Sequence, residues 1–368
     1  MRIAFLLGTD GLGGLELNQI KSAKSLEKLG HHTWIICRDD APIFEKAKQN
    51  NLNIELIKAH KNHYDFLRAF QLKQILKRNK IEHLVIRSVF DMSIAASAKF
   101  LLRKKINVHY FMEMQMLHSK KAWYRTIRYS FFDSWVCPLN YMANQVRLFT
   151  KIPKEKIYII PSGVEEEFFN TKFEKVKVKA SLGLPIDKIL FGIVGRIDQK
   201  KNQLLALEAF HALNNKNGYL IFIGQRTPNA QNDVYLDLIR NYINDNHLEN
   251  QVLFTGQSDN VLKYYQALDW TVVPSENESV GMVTLESLAV GTPVIGSNSG
   301  GTKEILENSA GLLFKSGDVQ SLTYKINEAI EKESVPFNDR MREYLEKHRF
   351  SHVSKILEAH FKKFESNN

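Results

Sequence analysis

The chain is poor in cysteine: Cys37 and Cys137 are the only two in 368 residues. That scarcity excludes a disulfide-stapled scaffold. Both cysteines lie in apolar, strand-like runs, so buried free thiols in a reducing, cytoplasmic setting are expected. Long hydrophobic runs are also missing. No stretch approaches the ~20 apolar residues of a membrane-spanning helix. The opening MRIAFLLGTDG has one Arg, a short apolar run and no small-residue cleavage site before a glycine turn. It reads as a first β-strand, not a signal peptide. There is no repeat of roughly 20–50 residues and no low-complexity tract. No Asp-x-Asp pair is present to hold a metal–diphosphate. A dinucleotide fingerprint is incomplete: from Gly11 the run is G-L-G-G-L-E, so the last glycine of G-x-G-x-x-G is missing, which counts against NAD.

What is present is ordinary in bulk and uneven in charge. A hydrophobic share of 44% with 24% charged residues fits a soluble globular protein, and the length suits two α/β domains. Residues 1–163 carry 27 Lys and Arg against 13 Asp and Glu, whereas the remainder carries 23 against 27. The first half is therefore strongly basic, as if it met nucleic acid, an anionic membrane face or a phosphate-bearing substrate. A solvated basic surface has the same composition.

Short apolar runs alternate with helical periodicity throughout. RIAFLLGTD reads as strand and turn, residues 15–29 as a helix, and HTWIICRDD, HLVIRS and INVHYFM as further strands. The pattern restarts with KILFGIVGRID and continues through GYLIFIG, QVLFTG, WTVVPS and PVIGS, with helices between. Repeated βαβ units require parallel sheets with right-handed crossovers. The expected fold is α/β, with two doubly wound Rossmann-like domains facing a cleft. The join falls near KIYIIPSGVEEEFF, giving residues 1–163, 164–350 and a terminal amphipathic helix within 351–368. Ligands of such sheets bind at the carboxyl ends of the strands.

Three segments at such ends carry candidate chemistry. The turn Gly8 to Glu16 follows the first strand and opens a helix, and Gly13 and Gly14 would let a phosphate approach backbone N–H groups. Arg196 and Lys201 leave the first strand of the second unit. A guanidinium fork with an ammonium stabilises the charge that builds on a departing diphosphate. In PSENESVGMVTLESLAVGTPVIGS, Glu278 follows a strand and Gly281 permits close approach. Met282 and Val283 offer helix N-terminal N–H groups, and Glu286 is placed to accept from a ribose. The eight-residue spacing of Glu278 and Glu286 carries little alone, since Glu166 and Glu174 repeat it.

Five motifs in order make the pattern specific. They are Gly13-Gly14-Leu15-Glu16, Ile160-Pro161-Ser162-Gly163-Val164-Glu165, Gly195-Arg196 with Lys201, the run from Pro274 to Val294, and Gly300-Gly301-Thr302-Lys303-Glu304. Together they resemble the retaining glycosyltransferases of family 4, the group 1 glycosyltransferases of GT-B architecture. The resemblance covers nearly the whole chain. It implies transfer of a hexose-type sugar from a UDP- or GDP-sugar to a glycan or lipid-linked acceptor, with retention and without a metal or other cofactor. Arg196 and Lys201 would clamp the diphosphate, Glu278 would contact the donor sugar and Glu286 the ribose. The acceptor would attack on the face from which the leaving group departs, its proton passing to the β-phosphate. Gly13 and Gly14 would admit the donor to the first domain. The terminal helix would cross back to the N-terminal domain.

The chain departs from the family in three places. Glu113 stands where many members have His, while His109 reads as a strand residue and His118 comes several positions late. Ser162 and Glu165 replace Asn and Asp, and Asn202 follows Lys201 where Gly is common. Glu113 and His118 are thus the acceptor-side candidates. Residues 118–132 mix Lys120, Lys121, Arg125 and Arg128 with Trp123, Tyr124, Tyr129, Phe131 and Phe132, and Arg103, Lys104 and Lys105 add a second cluster. Such a mixture suits peripheral contact with an anionic membrane in lipopolysaccharide or exopolysaccharide biosynthesis. The basic residues are scattered over several elements with no RNA-binding motif, so no nucleic-acid partner is expected. Two alternatives remain on the same architecture: a nucleotide-sugar epimerase or hydrolase, and a silent nucleotide-sugar binding protein.

Overall fold

The computed structural model describes residues 1–365 apart from 12, 62–64, 104, 171, 227–228, 259, 310 and 333–337. Leu12 of the first glycine turn and Lys104 of the second basic cluster therefore lie outside the described residues. The chain forms two compact units, Met1–Pro161 with Ser351–Asn368, and Ser162–Phe350.

The first unit holds strands β1 (Arg2–Leu7), β2 (His32–Cys37), β3 (Asn53–Leu56), β4 (His83–Ile86), β5 (Asn107–Phe111), β6 (Ser134–Cys137) and β7 (Ile157–Ile159). They make one sheet in the order β3-β2-β1-β4-β5-β6-β7. The second holds β8 (Ile189–Val194), β9 (Gly218–Ile223), β10 (Val252–Gly256), β11 (Trp270–Val273), β12 (Val294–Ser297) and β13 (Gly311–Phe314), in the order β10-β9-β8-β11-β12-β13. Every named strand pair is parallel. Both orders are doubly wound, reversing between β1 and β4 and between β8 and β11. These are the switch points where ligands of open α/β sheets bind.

Helices on both faces explain the near-continuous apolar strands: β4 and β11 are buried at every position. Cys37 and Cys137 end β2 and β6, fully buried, and burial pushes both thiols up to about 12. The strands NIEL, SWVC and GLLF were not anticipated. NIEL and GLLF are edge strands, the first with no buried position and the second with one, so neither stands in a long apolar run. The final helix runs Phe350–Lys362, where the periodicity predicts 351–364. Its Val353, Leu357 and Phe361 repeat every fourth residue and join the core of the first unit beside Phe5, Ile35 and Val85. Such side chains contribute roughly 1.5–3 kcal/mol each on full burial, so the helix is an integral part of that unit. Residues 162–164 belong with the second unit: the Val164 N–H donates to the His348 carbonyl at 2.7 Å, and the Phe350 N–H to the Val164 carbonyl at 2.9 Å. Among the described residues no helix is long and apolar enough to cross a membrane.

Candidate active site

In the second unit the loop after β8 and the loop after β11 meet at the switch point. Asp198 organises the first. Its Oδ1 accepts from the N–H groups of Lys200 and Lys201 at 3.0 and 3.2 Å, capping the short turn Gln199–Lys201. Asn202 follows with φ +54°, the left-handed conformation that Asn tolerates, which accounts for Gly being common there. Arg196 projects into solvent with its side chain 67% exposed, its Nη2 3.7 Å from Asp198 Oδ2. Lys201 turns inward, and its Nζ lies 2.7 Å from Glu278 Oε2. Lys201, Glu278 and Val283 line one recess together with Pro274 and Ser275.

The Glu278 loop is fixed from behind. The Gly301 N–H donates to the Glu278 carbonyl at 2.7 Å, and Ser297 Oγ donates to the Ser275 carbonyl at 2.5 Å. Gly300 has φ +57°, and a Cβ there would stand 2.3 Å from the Glu278 carbonyl oxygen. The glycine pair is thus the socket in which the Glu278 loop sits. Gly281 (φ +74°) caps the helix Met282–Val290, where a Cβ would strike Ile305. Met282 and Val283 are the first residues of that helix, so their N–H groups lack intrahelical acceptors. Glu286, one turn on, accepts from the Tyr265 hydroxyl at 3.0 Å. Burial, reinforced by the Glu286 charge, raises the Tyr265 pKa well above its ordinary value.

In the first unit, the turn after β1 exposes Gly13 and Gly14 at the start of the helix Gly14–Lys28. Glu16 reaches back to accept from the Gly13 N–H at 2.8 Å, one half of a capping box, so this acid holds the turn. An added Cβ at Gly14 would meet nothing within 4 Å. Glu113 follows β5 and pairs with Arg87, which leaves β4. Arg87 also donates to Ser22 Oγ at 3.3 Å and lies over the Phe111 ring, and burial lowers its pKa to about 10. His118 is exposed on the loop beyond, and among the described residues no hydrogen bond or ion pair joins it to this pair. A second buried pair flanks the β1 turn. His60 Nε2 lies 2.8 Å from Asp91 Oδ1, and the Gly8 N–H donates to Asp91 Oδ2 at 3.5 Å. Burial alone would lower the His60 pKa, but the Asp91 carboxylate outweighs it and raises it.

The structure therefore gathers Arg196, Lys201, Glu278, Gly281, Met282, Val283 and Glu286 in one unit and Gly13, Gly14, Glu113 and His118 in the other. Sequence reasoning missed Asp198, Tyr265, Arg87 and the His60–Asp91 pair. Arg87 had a usable signal, a lone cation at the exit of a buried strand. Tyr265 and Asp91 had none, since their partners are remote in sequence. Chemically, the second unit offers two cations and a run of helix N-terminal N–H groups for a diphosphate, with acids beside them for hydroxyl groups. Among the described residues no group of three or more His, Cys, Asp or Glu could hold a metal ion.

Known proteins share both sequence and fold with this chain. Residues 174–348 match the family model described as glycosyl transferases group 1, and residues 12–168 match that of glycosyltransferase family 4. A D-inositol 3-phosphate glycosyltransferase of Acidothermus cellulolyticus is 30% identical over 173 residues, covering 45% of this chain and 38% of that protein. A lipopolysaccharide core biosynthesis mannosyltransferase, LpsB of Rhizobium meliloti, is 26% identical over 169 residues, covering 45% and 48%. The chain thus spans less than half the length of these two relatives. The crystal structure of Anabaena Alr3699/HepE in complex with UDP superposes with a TM-score of 0.86 at 18% identity, covering 99% of this chain and 100% of that one. At that identity the likeness shows a shared fold, the two-domain GT-B architecture.

Proposed function

Since the chain belongs to the group 1 (family 4) glycosyltransferases, we propose that it moves a hexose-type sugar from a nucleoside-diphosphate sugar to a glycan or lipid-linked acceptor. The observation that carries this reading is the Lys201–Glu278 pair beside Arg196 at the β8–β11 switch point. Arg196 and Lys201 take the diphosphate, Glu278 a sugar hydroxyl and Glu286 the ribose. The N–H groups of Met282 and Val283, just after the N-cap Gly281, complete the phosphate cradle. Gly13 and Gly14, exposed at a helix start, are assigned to donor binding as well. The UDP complex of the HepE protein favours a uridine donor, with GDP-sugars the competing class.

The bond from the anomeric carbon to the β-phosphate oxygen breaks, and its electron pair leaves with the nucleoside diphosphate. Arg196 and Lys201 stabilise the charge so formed. The acceptor oxygen bonds the same face of the anomeric carbon, giving retention, and its proton goes to the β-phosphate. Neither a metal nor a protein nucleophile is required in this scheme. Glu113, held in place by Arg87, orients the acceptor hydroxyl. The D-inositol 3-phosphate and lipopolysaccharide-core relatives point to a phosphorylated or lipid-borne acceptor. The basic first unit fits peripheral contact with an anionic membrane at the cytoplasmic face.

A panel of nucleotide sugars with and without acceptors, read by nucleoside diphosphate release, tests the reaction. Acceptor-dependent release is expected. Release that ignores every acceptor supports a hydrolase, and binding without release supports a silent sensor. Arg196→Ala is expected to cost about 10²-fold, the scale of losing one charge-stabilising donor. Sedimentation with anionic and neutral liposomes tests the membrane contact, and equal recovery with both removes it.

A further inference from the structure

Three helices of the first unit, Phe66–Arg78, Met92–Leu101 and Trp123–Ser130, border a groove of about 290 Å³. That is near the lower bound of small-molecule sites, roughly 300–1,000 Å³, and suits one slender ligand. Its walls are apolar and open to solvent: Phe66 is 69% exposed, Phe100 66% and Trp123 73%. Ser97, Ile127 and Phe131 complete the lining that matters here. Large rings exposed side by side on a water-soluble surface mark a binding site rather than a solvated face.

The groove has two unlike ends. At one, Phe100 and Phe131 meet edge to face at 6.1 Å, at the C-terminal ends of their helices. At the other, Arg128 reaches across to Ser93, in the first turn of the helix that leaves the carboxyl edge of β4, its Nη1 donating to Ser93 Oγ at 3.1 Å. Arg128 Nε is buried and has no acceptor. A buried guanidinium N–H without an acceptor is costly, and an anionic oxygen is an acceptor well suited to it. Most of the surrounding charge is basic, with Asp65 capping the first of these helices and Asp133 paired with Lys99. The three helices carry Arg68, Lys73, Lys77, Arg78, Lys99, Arg125 and Arg128 and not a single Asp or Glu.

We propose that this groove binds a phosphate-bearing amphiphile with a single hydrocarbon chain, the chain lying along Ile127 towards Phe100 and Phe131 and the phosphate meeting Arg128. The proposal rests on the transferase reading and narrows its acceptor to a lipid-linked one, whose head would then stand at the carboxyl edge of the first sheet. An aqueous glycan has no use for the apolar trough. A neutral lipid leaves Arg128 without its anion.

Binding of monomeric n-alkyl phosphates to the full chain tests this, followed by calorimetry and by quenching of Trp123 with a bromine-labelled chain. Affinity is expected to rise about fourfold per added methylene until the groove is filled and then level off. The alkyl glucoside of equal length is expected to bind at least tenfold more weakly. Arg128→Met should weaken the phosphate about tenfold and leave the glucoside unchanged. Ile127→Asp, at an exposed position, should abolish both, and Ser97→Trp should do so by filling the trough, with thermal melting confirming that each variant is folded. Equal binding of phosphate and glucoside, no dependence on chain length, or binding untouched by Ile127→Asp overturns the proposal. So does binding to anionic vesicles without binding of monomers, or a dimer that Ile127→Asp dissolves. Nucleotide-sugar binding and diphosphate release are measured in parallel. Donor turnover without amphiphile binding removes only this inference, and amphiphile binding without turnover removes only the transferase reading.

Discussion

Lys201 Nζ and Glu278 Oε2 lie 2.7 Å apart, joining two motifs that are 77 residues apart in the chain. Both side chains are largely shielded, 23% and 19% exposed, so each charge relies on the other while no donor is bound. Removing one partner leaves the other partly buried and uncompensated. Lys201→Met is therefore expected to lose stability as well as activity, with kcat/KM for the donor falling about 10²-fold. Glu278→Gln keeps an acceptor oxygen and should keep the fold, its loss falling on sugar recognition. A double-mutant cycle on donor turnover should show strong non-additivity. Simple additivity would mean that the two side chains act separately.

Gly300 has no chemistry of its own, yet it is expected to be among the most sensitive positions near the site. Gly300→Ala combines a left-handed backbone with a Cβ 2.3 Å from the Glu278 carbonyl oxygen. The backbone strain alone costs about 1–2 kcal/mol. The collision displaces the loop carrying Glu278, so turnover should fall by more than the folded fraction does. Urea denaturation and donor turnover on the same samples separate the two losses. Equal proportional losses would make Gly300 a purely structural residue.

The sheets were legible because parallel strands buried on both faces leave unmistakable apolar runs, as in KILFGIVG and WTVVPS. The donor-side motifs were placed correctly at strand exits because each follows an apolar strand in the sequence. NIEL escaped because it is an edge strand with no buried position, and SWVC because its apolar run is short, Trp135 and Val136 with Cys137. Asp198 was visible in its motif, but its role needed the capping geometry. The Tyr265–Glu286 and His60–Asp91 contacts needed coordinates, since nothing local in sequence joins their members. Glu113 was singled out in the sequence as an acceptor-side candidate, while its partner Arg87 appeared only once β4 and β5 were seen side by side.

The Arg87–Glu113 pair separates an acceptor role from a structural one. Arg87→Met strands the Glu113 carboxylate in a setting only 12% exposed and is expected to cost about 3 kcal/mol of stability. Glu113→Gln leaves an oxygen for Arg87 and should cost less than half of that. If Glu113 orients the acceptor, the Gln variant raises the acceptor KM by about tenfold. An unchanged acceptor KM in a folded Glu113→Gln protein would assign Glu113 to the architecture alone.

The first unit should also be acid-sensitive through a buried histidine chain on which the final helix rests. His83 Nδ1 is 3.0 Å from His109 Nε2, His109 Nδ1 is 2.7 Å from Ser134 Oγ, and that hydroxyl is 3.0 Å from His360 Nε2. Burial lowers His83 to about 4 and His360 to about 3, and holds His109 well below the ordinary range. The unfolded chain takes up these protons near pH 6.5, whereas the folded one resists them until far lower. Between those values the unfolded state binds more protons, so stability is intact above about pH 6.5 and declines on acidification. The loss is of order 2 kcal/mol per histidine at about pH 5. His360→Phe, set among Phe361, Phe364 and Tyr158, removes one titrating group from an aromatic site. Its melting temperature should fall less steeply between pH 7 and about pH 5, with roughly one proton fewer taken up on unfolding. A slope equal to that of the parent protein would show that His360 is not buried in its neutral form.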